Sequence, residues 1–431
     1  MSGTDGGSFE IHLGQARPKA VAALLRTFRD LDAAEEAFQE ACLRALRVWP
    51  EKGLPRDPVA WLIFVGRNAG LDDARRQRRL EPLPLSPSVD TALEDVEAAW
   101  AEGVDRRAYR DDVLRLFFIC CHPELPPGHQ IALALQVVAG LSVAEIAQAF
   151  LVKPRAMEQR LTRARRKVRQ GQVPFSNPTP AERAERLETV ATMIYLVFNE
   201  GYSASGGEAH LRERLCREAI RLARLLLRLF PAEVEIMGLL ALCLLQHSRA
   251  EARLDDEGRI ILLDRQNRSL WNRPMISEGS TLLEKALRHG RPGPFQVQAA
   301  IAAVHAHAEQ AETTDWQEID RLYAILERLT PSPVITLNRA VAKAEATTAE
   351  DALELLEGIA DHLQGHFHFH GVRAQLLARS GRVEEAQMDF EEALRLARTP
   401  AERQHLRQEM QLFSKKSQGS VGSSPARSSS H

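Results

Sequence analysis

Between Leu141 and Arg169 the chain reads LSVAEIAQAFLVKPRAMEQRLTRARRKVR, two helix signals separated by a break too short for anything but a tight turn. That spacing dictates a helix-turn-helix. Ser142 and Glu145 make the capping-box pair that opens the first helix, and Val143, Ile146 and Ala147 supply its apolar face. Pro154 suits the first turn of the second helix, where a missing N–H costs nothing. On that helix Met157, Leu161, Ala164 and Val168 recur at helical spacing and turn inward, leaving Arg155, Glu158, Gln159, Thr162, Arg163 and Arg166 outside. The outer face mixes cations that pair with phosphate and side chains that read base edges, as a DNA recognition helix requires. A basic amphipathic helix can also merely solvate itself. Here Arg160, Arg163, Arg165, Arg166, Lys167 and Arg169 cluster with hardly an acid among them, which favours DNA.

The rest of the chain sets that motif in a larger all-α protein. Its 431 residues suffice for two or three domains, aromatic content is only 6%, and no convincing strand pattern occurs. The formal net charge of −2 means that nucleic-acid contact must come from local patches rather than the average field. Cys42, Cys120, Cys121, Cys216 and Cys243 are odd in number and sit inside apolar helical patterns, which reads as reduced core thiols of a cytoplasmic protein. The opening MSGTDGGSFE has neither the charged nor the apolar part of a signal peptide, and no run reaches the length of a membrane span. Cytoplasmic location without a membrane partner is the expectation.

Proline and glycine punctuate the chain into blocks. Residues 1–10 are expected to be flexible; a helical block follows over 11–80, divided by Pro50, Pro55 and Pro58. A Pro- and acid-rich linker spans 81–104, and a second block, 105–172, ends in the helix-turn-helix. After a short linker at 173–180, a long helical region runs over 181–413 and gives way to a low-complexity tail, 414–431. Within the long region, GRVEEAQMDFEEALRLARTP sets Gly381, Ala386, Phe390, Ala393 and Pro400 in nearly the order of a tetratricopeptide repeat. ERLCREAIRLARLLLRLFPAE and TDWQEIDRLYAILERLTPSP also end helices before proline, so a helical-repeat array is expected.

In the first block, Glu35, Glu36, Gln39 and Glu40 form an acidic and amide ridge beside the apolar stripe of Ala34, Phe38, Cys42 and Leu46. The next helical segment carries Trp61, Arg67 and Asn68, then Arg75, Arg76, Arg78 and Arg79. A cationic helix after a proline-bounded loop can grip a strand by its phosphates while aromatic or amide groups engage exposed bases.

In this order, AEEAFQEACLRAL, DPVAWLIFVGRNAGLDDARRQRR and LSVAEIAQAFLVKPRAMEQRLTRARRKVR resemble regions 2.2, 2.3 to 2.4, and 4.2 of an extracytoplasmic-function sigma factor of bacterial RNA polymerase. The resemblance spans about residues 11–172. The long extension, with FNEGYSAS and SLWNRPMISEG, is similar to the subgroup carrying a C-terminal tetratricopeptide-like domain. It implies transcription initiation without catalysis and without a cofactor or metal. Glu35, Glu36, Gln39 and Glu40 are then expected to dock on the β′ clamp helices, where basic partners give charge complementarity; the β flap is the other core contact. Arg56, Trp61, Arg67, Asn68, Arg75, Arg76, Arg78 and Arg79 are expected at the −10 element, with the loop 54–57 receiving a flipped base. Arg155, Glu158, Gln159, Arg160, Thr162, Arg163 and Arg166 are expected in the −35 major groove. The C-terminal domain modulates activity in cis or binds a regulatory protein.

Two departures bear on this transfer. Leu151 and Val152 stand in a turn that often holds glycine, and Glu158 replaces a residue often basic in the family, where its carboxylate can accept from cytosine. The other reading is a helix-turn-helix regulator that binds operator DNA independently of polymerase, with a helical-repeat sensor. Cys120, Cys121 and His122 lack a ligand set for zinc, and Gly365 and Gly371 interrupt His362, His366 and His370. Gly201 is expected to end a helix spanning 187–198, and no nucleophile, base and orienting residue assemble.

Overall fold

The computed structural model describes residues 6–78, 106–170, 180–203, 209–255, 261–397 and most of 403–410, apart from the single positions 123 and 151. The linker expected at 81–104, all of the second linker but Pro180, and the tail at 414–431 lie outside them. Among the described residues the fold is all-α, with no strand beyond an isolated bridge residue at Leu254. The chain divides into two compact units, 1–225 and 226–431.

The first unit opens with three mutually packed helices, α1 (Gly6–Phe28), α2 (Leu31–Lys52) and α3 (Pro58–Arg78). Asp30 starts α2 by accepting from the N–H groups of Asp32 and Ala33, and Gly53 at φ 84 ends it. Pro50 does not mark a boundary; α2 carries it within its last turn, and Pro58 opens α3. Close approach of α3 requires glycine: a Cβ at Gly66 would lie 2.8 Å from the Ala37 carbonyl oxygen. Trp49 and Trp61 meet edge-to-face in this core with ring centroids 5.5 Å apart.

Four further helices follow: α4 (Arg106–Cys120), α5 (Pro127–Val137), α6 (Val143–Ala149) and α7 (Pro154–Arg169). Gly140, at φ 74, turns the chain from α5 toward α6. Helix α4 also packs on α1, where Arg26 pairs with buried Asp112 at 2.9 Å. Helix α8 (Pro180–Ser203) lies against α4 and α5, and α9 (Ala209–Leu229) completes the unit. Gly201 does not end a helix: it is buried within α8, which runs on to Ser203.

The second unit begins with α10 (Val234–His247), α11 (Arg273–Leu287) and α12 (Pro294–His307), each packed on the other two. Glu235 caps α12 from outside, accepting from the N–H groups of Phe295 at 3.0 Å and Gln296 at 3.3 Å. The SLWNRPMISEG stretch acts as a clasp. Arg268, the residue just before it, donates to the carbonyls of His305 and Ala308 at the end of α12 and stacks on buried Trp271 of the stretch, while Asn272 caps α11.

Helices α13 (Trp316–Leu329), α14 (Pro333–Ala346), α15 (Ala349–Glu357), α16 (Ala360–Leu363), α17 (Phe367–Arg379) and α18 (Val383–Leu396) continue the unit. Gly381 takes φ 76 in the turn between α17 and α18, and Ala386, Phe390 and Ala393 are buried. Buried Asp389 accepts from Arg373 Nε at 2.6 Å and bonds His370 Nδ1 at 2.7 Å, tying the two helices together. Pro400 lies outside the described residues.

Candidate nucleic-acid interface

The helix-turn-helix is built by local rules. Ser142 Oγ accepts from Glu145 N–H at 3.3 Å while the Ser142 N–H donates to Glu145 Oε2 at 2.7 Å, and Pro154 occupies the first position of α7. Met157, Leu161, Ala164 and Val168 are buried. Val152 avoids positive φ, and its N–H donates to Ala147 O at 2.9 Å.

The outer face divides in two. Arg155, Glu158, Gln159, Thr162, Arg163 and Arg166 are exposed and Arg160 is half-buried, so the expected reader residues share one accessible surface. Their charge is felt nearby: the His129 pKa is lowered by burial and then by Arg160, Arg163 and Lys167. Arg165 and Arg169 point elsewhere, toward α2. Arg165 Nη1 pairs with Asp32 Oδ1 at 2.6 Å and its Nη2 with Glu35, while Arg169 pairs with Asp32.

That arrangement splits the α2 ridge. Glu36 and Gln39 are exposed and Glu40 is half-buried against Arg44, whereas Glu35 is only 7% exposed. A second arginine reaches it from α1: Arg17 Nη2 lies 2.5 Å from Glu35 Oε1 and also donates to the Gln136 carbonyl, while Arg17 Nε donates to Val137 O at 2.9 Å. The guanidinium thereby satisfies carbonyls at the end of α5 as well as the carboxylate. Burial lowers the Arg17 pKa against the opposing pull of Glu35.

On α3, Arg67 is exposed and Asn68 half-buried; Arg56 is exposed in the preceding loop. Trp61 departs from expectation: at 5% exposure it belongs to the core against Trp49, because α3 turns its apolar side inward there. The helix backbone continues through Arg75, Arg76 and Arg78, and Arg79 lies outside the described residues.

The cysteine and histidine motifs read from the sequence are buried or dispersed. Cys120 and Cys121 are buried, which raises both thiol pKa values, that of Cys121 to about 12. His122 Nδ1 accepts from Glu124 N–H at 3.2 Å. His362, His366 and His370 fall on α16, on the residue before α17 and on α17, so they do not form one ladder. Among the described residues no group of three or more His, Cys, Asp or Glu side chains converges as a metal site.

Residues 14–80 match sigma-70 region 2 and residues 118–168 match sigma-70 region 4. The chain belongs to the sigma-70 family. Both regions coincide with the helical modules above, and this sigma factor carries a helical C-terminal extension in which residues 186–287 match a family of unknown function, DUF6596. It is also similar to an uncharacterized protein of Rhizobium meliloti (strain 1021), at 56% identity over 407 residues, covering 94% of this chain and 96% of that one. Promoter recognition by the sigma factor calls for RNA polymerase and promoter DNA as its partners. No described helix is long and apolar enough to cross a membrane.

Proposed function

We propose that this chain is an extracytoplasmic-function sigma factor acting in the cytoplasm, whose α7 reads the −35 major groove while α3 and its preceding loop hold the opened −10 strand. The observation that carries the reading is the accessible face of α7, set on a capped helix-turn-helix and sharing a chain with a region 2 helix bundle.

In this reading Arg155, Arg160, Arg163 and Arg166 pair with phosphate or guanine, Gln159 and Thr162 meet base edges, and Glu158 accepts from a cytosine amine. Arg56, Arg67, Asn68, Arg75, Arg76, Arg78 and Arg79 track the −10 strand, with Trp61 supporting the helix from beneath. Glu35, Glu36, Gln39 and Glu40 dock on the β′ clamp helices, and the region 4 module meets the β flap. Captured bases and polymerase contacts offset the unstacking cost of about a few kcal/mol without ATP.

The tetratricopeptide-like extension modulates activity in cis and offers a surface to a regulatory protein. One contact supports coupling. Arg214 of α9 pairs with Oε1 of Glu145, whose other oxygen closes the capping box of α6.

Run-off transcription with purified core polymerase tests the function. Promoter-dependent transcript from chain plus core is expected. Tight binding to duplex DNA by the chain alone, with no transcript, overturns the reading in favour of a polymerase-independent regulator.

A further inference from the structure

We infer that the arginine stripe of α9 is a second DNA contact, one that lies on the phosphate backbone of the duplex beside the −35 element and adds sequence-independent affinity there. The inference rests on the proposed seating of α7 in the major groove.

Charge marks the helix out. The chain as a whole has a formal net charge of −2, yet α9 carries six arginines against Glu213 and Glu218, and α7 carries seven cations against Glu158. No other described helix has so large an excess. A self-solvating helix of this chain mixes the signs, as α13 does with Glu318, Asp320 and Glu327 beside Arg321 and Arg328. On α9, Arg214, Arg217, Arg221 and Arg224 recur at alternating steps of three and four, which sets them within about 80° of the helix circumference at ~100° per residue. Arg214, Arg217 and Arg224 are exposed and Arg221 is half-buried, while Leu215, Ala219, Leu222 and Ala223 turn into the core.

Position gives the stripe its partner. Arg214 pairs with Glu145 in the first turn of α6, and the Cys216 thiol donates to the Phe198 carbonyl of α8, so the start of α9 is tied to the helix-turn-helix and to the helix behind it. In such a unit the first helix crosses the DNA backbone while the second enters the groove. A stripe that begins at α6 is therefore continuous with the −35 surface. The step from Arg214 to Arg224 rises about 15 Å, the axial length of roughly four base pairs. Arg217 is held loosely: its pair with Glu213 spans 3.6 Å with side chains 63% and 50% exposed, a contact that contributes little in water and yields to phosphate. Arg221 is braced by Glu218 at 2.9 Å, which leaves the exposed Arg217 and Arg224 as the positions to substitute.

The test measures binding of a selected promoter fragment by the full chain assembled with core polymerase, over a range of salt. The Arg217→Gln/Arg224→Gln chain should bind about tenfold more weakly at ~0.1 M salt, with the slope of log affinity against log salt reduced by about 2, roughly one for each phosphate contact. The loss should be equal on a fragment with a scrambled −35 element, and hydroxyl-radical protection should vanish from one flank of that element while the element itself stays covered. Trimming the DNA at that flank should reproduce the loss with the parent chain. Arg217→Lys/Arg224→Lys should restore the slope, since lysine keeps the point charge. The urea midpoint and the affinity for core without DNA should not change in either variant. An unchanged slope and footprint in the glutamine chain overturn the stripe and leave the −35 reading intact. Weaker binding to core without DNA also overturns it, by assigning the arginines to an acidic protein surface. If the parent chain with core protects no promoter, the sigma-factor reading fails and the stripe falls with it.

Discussion

Helices α2 and α7 are both amphipathic with a strongly charged outer stripe, yet they spend that stripe differently. On α7 the reader residues are exposed apart from half-buried Arg160, whereas Arg165 and Arg169 turn to another module. On α2 the ridge divides at its start, Glu35 buried between two arginines while Glu36 and Gln39 remain free of burial. Helical periodicity specifies which face is polar. It does not specify whether the partner of that face belongs to the same chain.

Substitutions can break or sharpen this contrast. The largest effect is expected at Leu161, where the inner face of α7 meets the core: Leu161→Ala should lower stability by about 3 kcal/mol in urea unfolding and abolish duplex binding with it. An unchanged urea midpoint would place that face outside the core.

A second effect of comparable size lies in the other unit, where a half-buried group lacks the compensation Glu35 enjoys. His305 Nδ1 has no hydrogen-bond partner, and burial followed by Arg249 and Arg268 pushes its pKa down to about 4. Since the unfolded chain takes up this proton near pH 6.5, stability of the second unit should fall as pH drops from about 6.5 to 4, by at most about 3 kcal/mol. Denaturation midpoints across that range check it. A His305→Gln chain should lose this component, and retention of the full slope would assign it elsewhere.

Within α2 itself, Glu35→Ala should cost about 2 kcal/mol, because Arg17 and Arg165 lose a partner in a partly buried site, whereas Glu36→Ala should stay within ~0.5 kcal/mol. Equal effects at the two positions would erase the division of the ridge. The smallest change in stability is expected on the reader face. Arg163→Ala should leave the urea midpoint unchanged yet weaken −35 duplex binding by about 1–3 kcal/mol, measured by fluorescence anisotropy at fixed salt.

What the sequence made legible follows the range of the interactions concerned. The capping box at Ser142 and Glu145, proline at the first turn of α7 and the buried quartet from Met157 to Val168 all depend on residues within one or two turns, and each formed as read. The burial of Trp61 carries no local signal, because it depends on Trp49, which belongs to another helix. Gly201 carries a helix-ending signal that the packing of α8 overrides. The partners of Arg165 lie 133 and 130 residues away, at Asp32 and Glu35, so no local pattern separates it from the reader Arg163 two positions earlier. The SLWNRPMISEG motif carries no role in the sequence alone, since Arg268 just before it stacks on its Trp271 and reaches the far end of α12.

Permanganate footprinting tests the central claim most directly, on promoter DNA selected from a randomised library by the chain assembled with core polymerase. Thymines around the −10 element should become reactive only when chain and core are both present, and Arg163→Ala should reduce that reactivity through weaker −35 capture. Protection of intact duplex by the chain alone, with no reactive thymine after core is added, would contradict it.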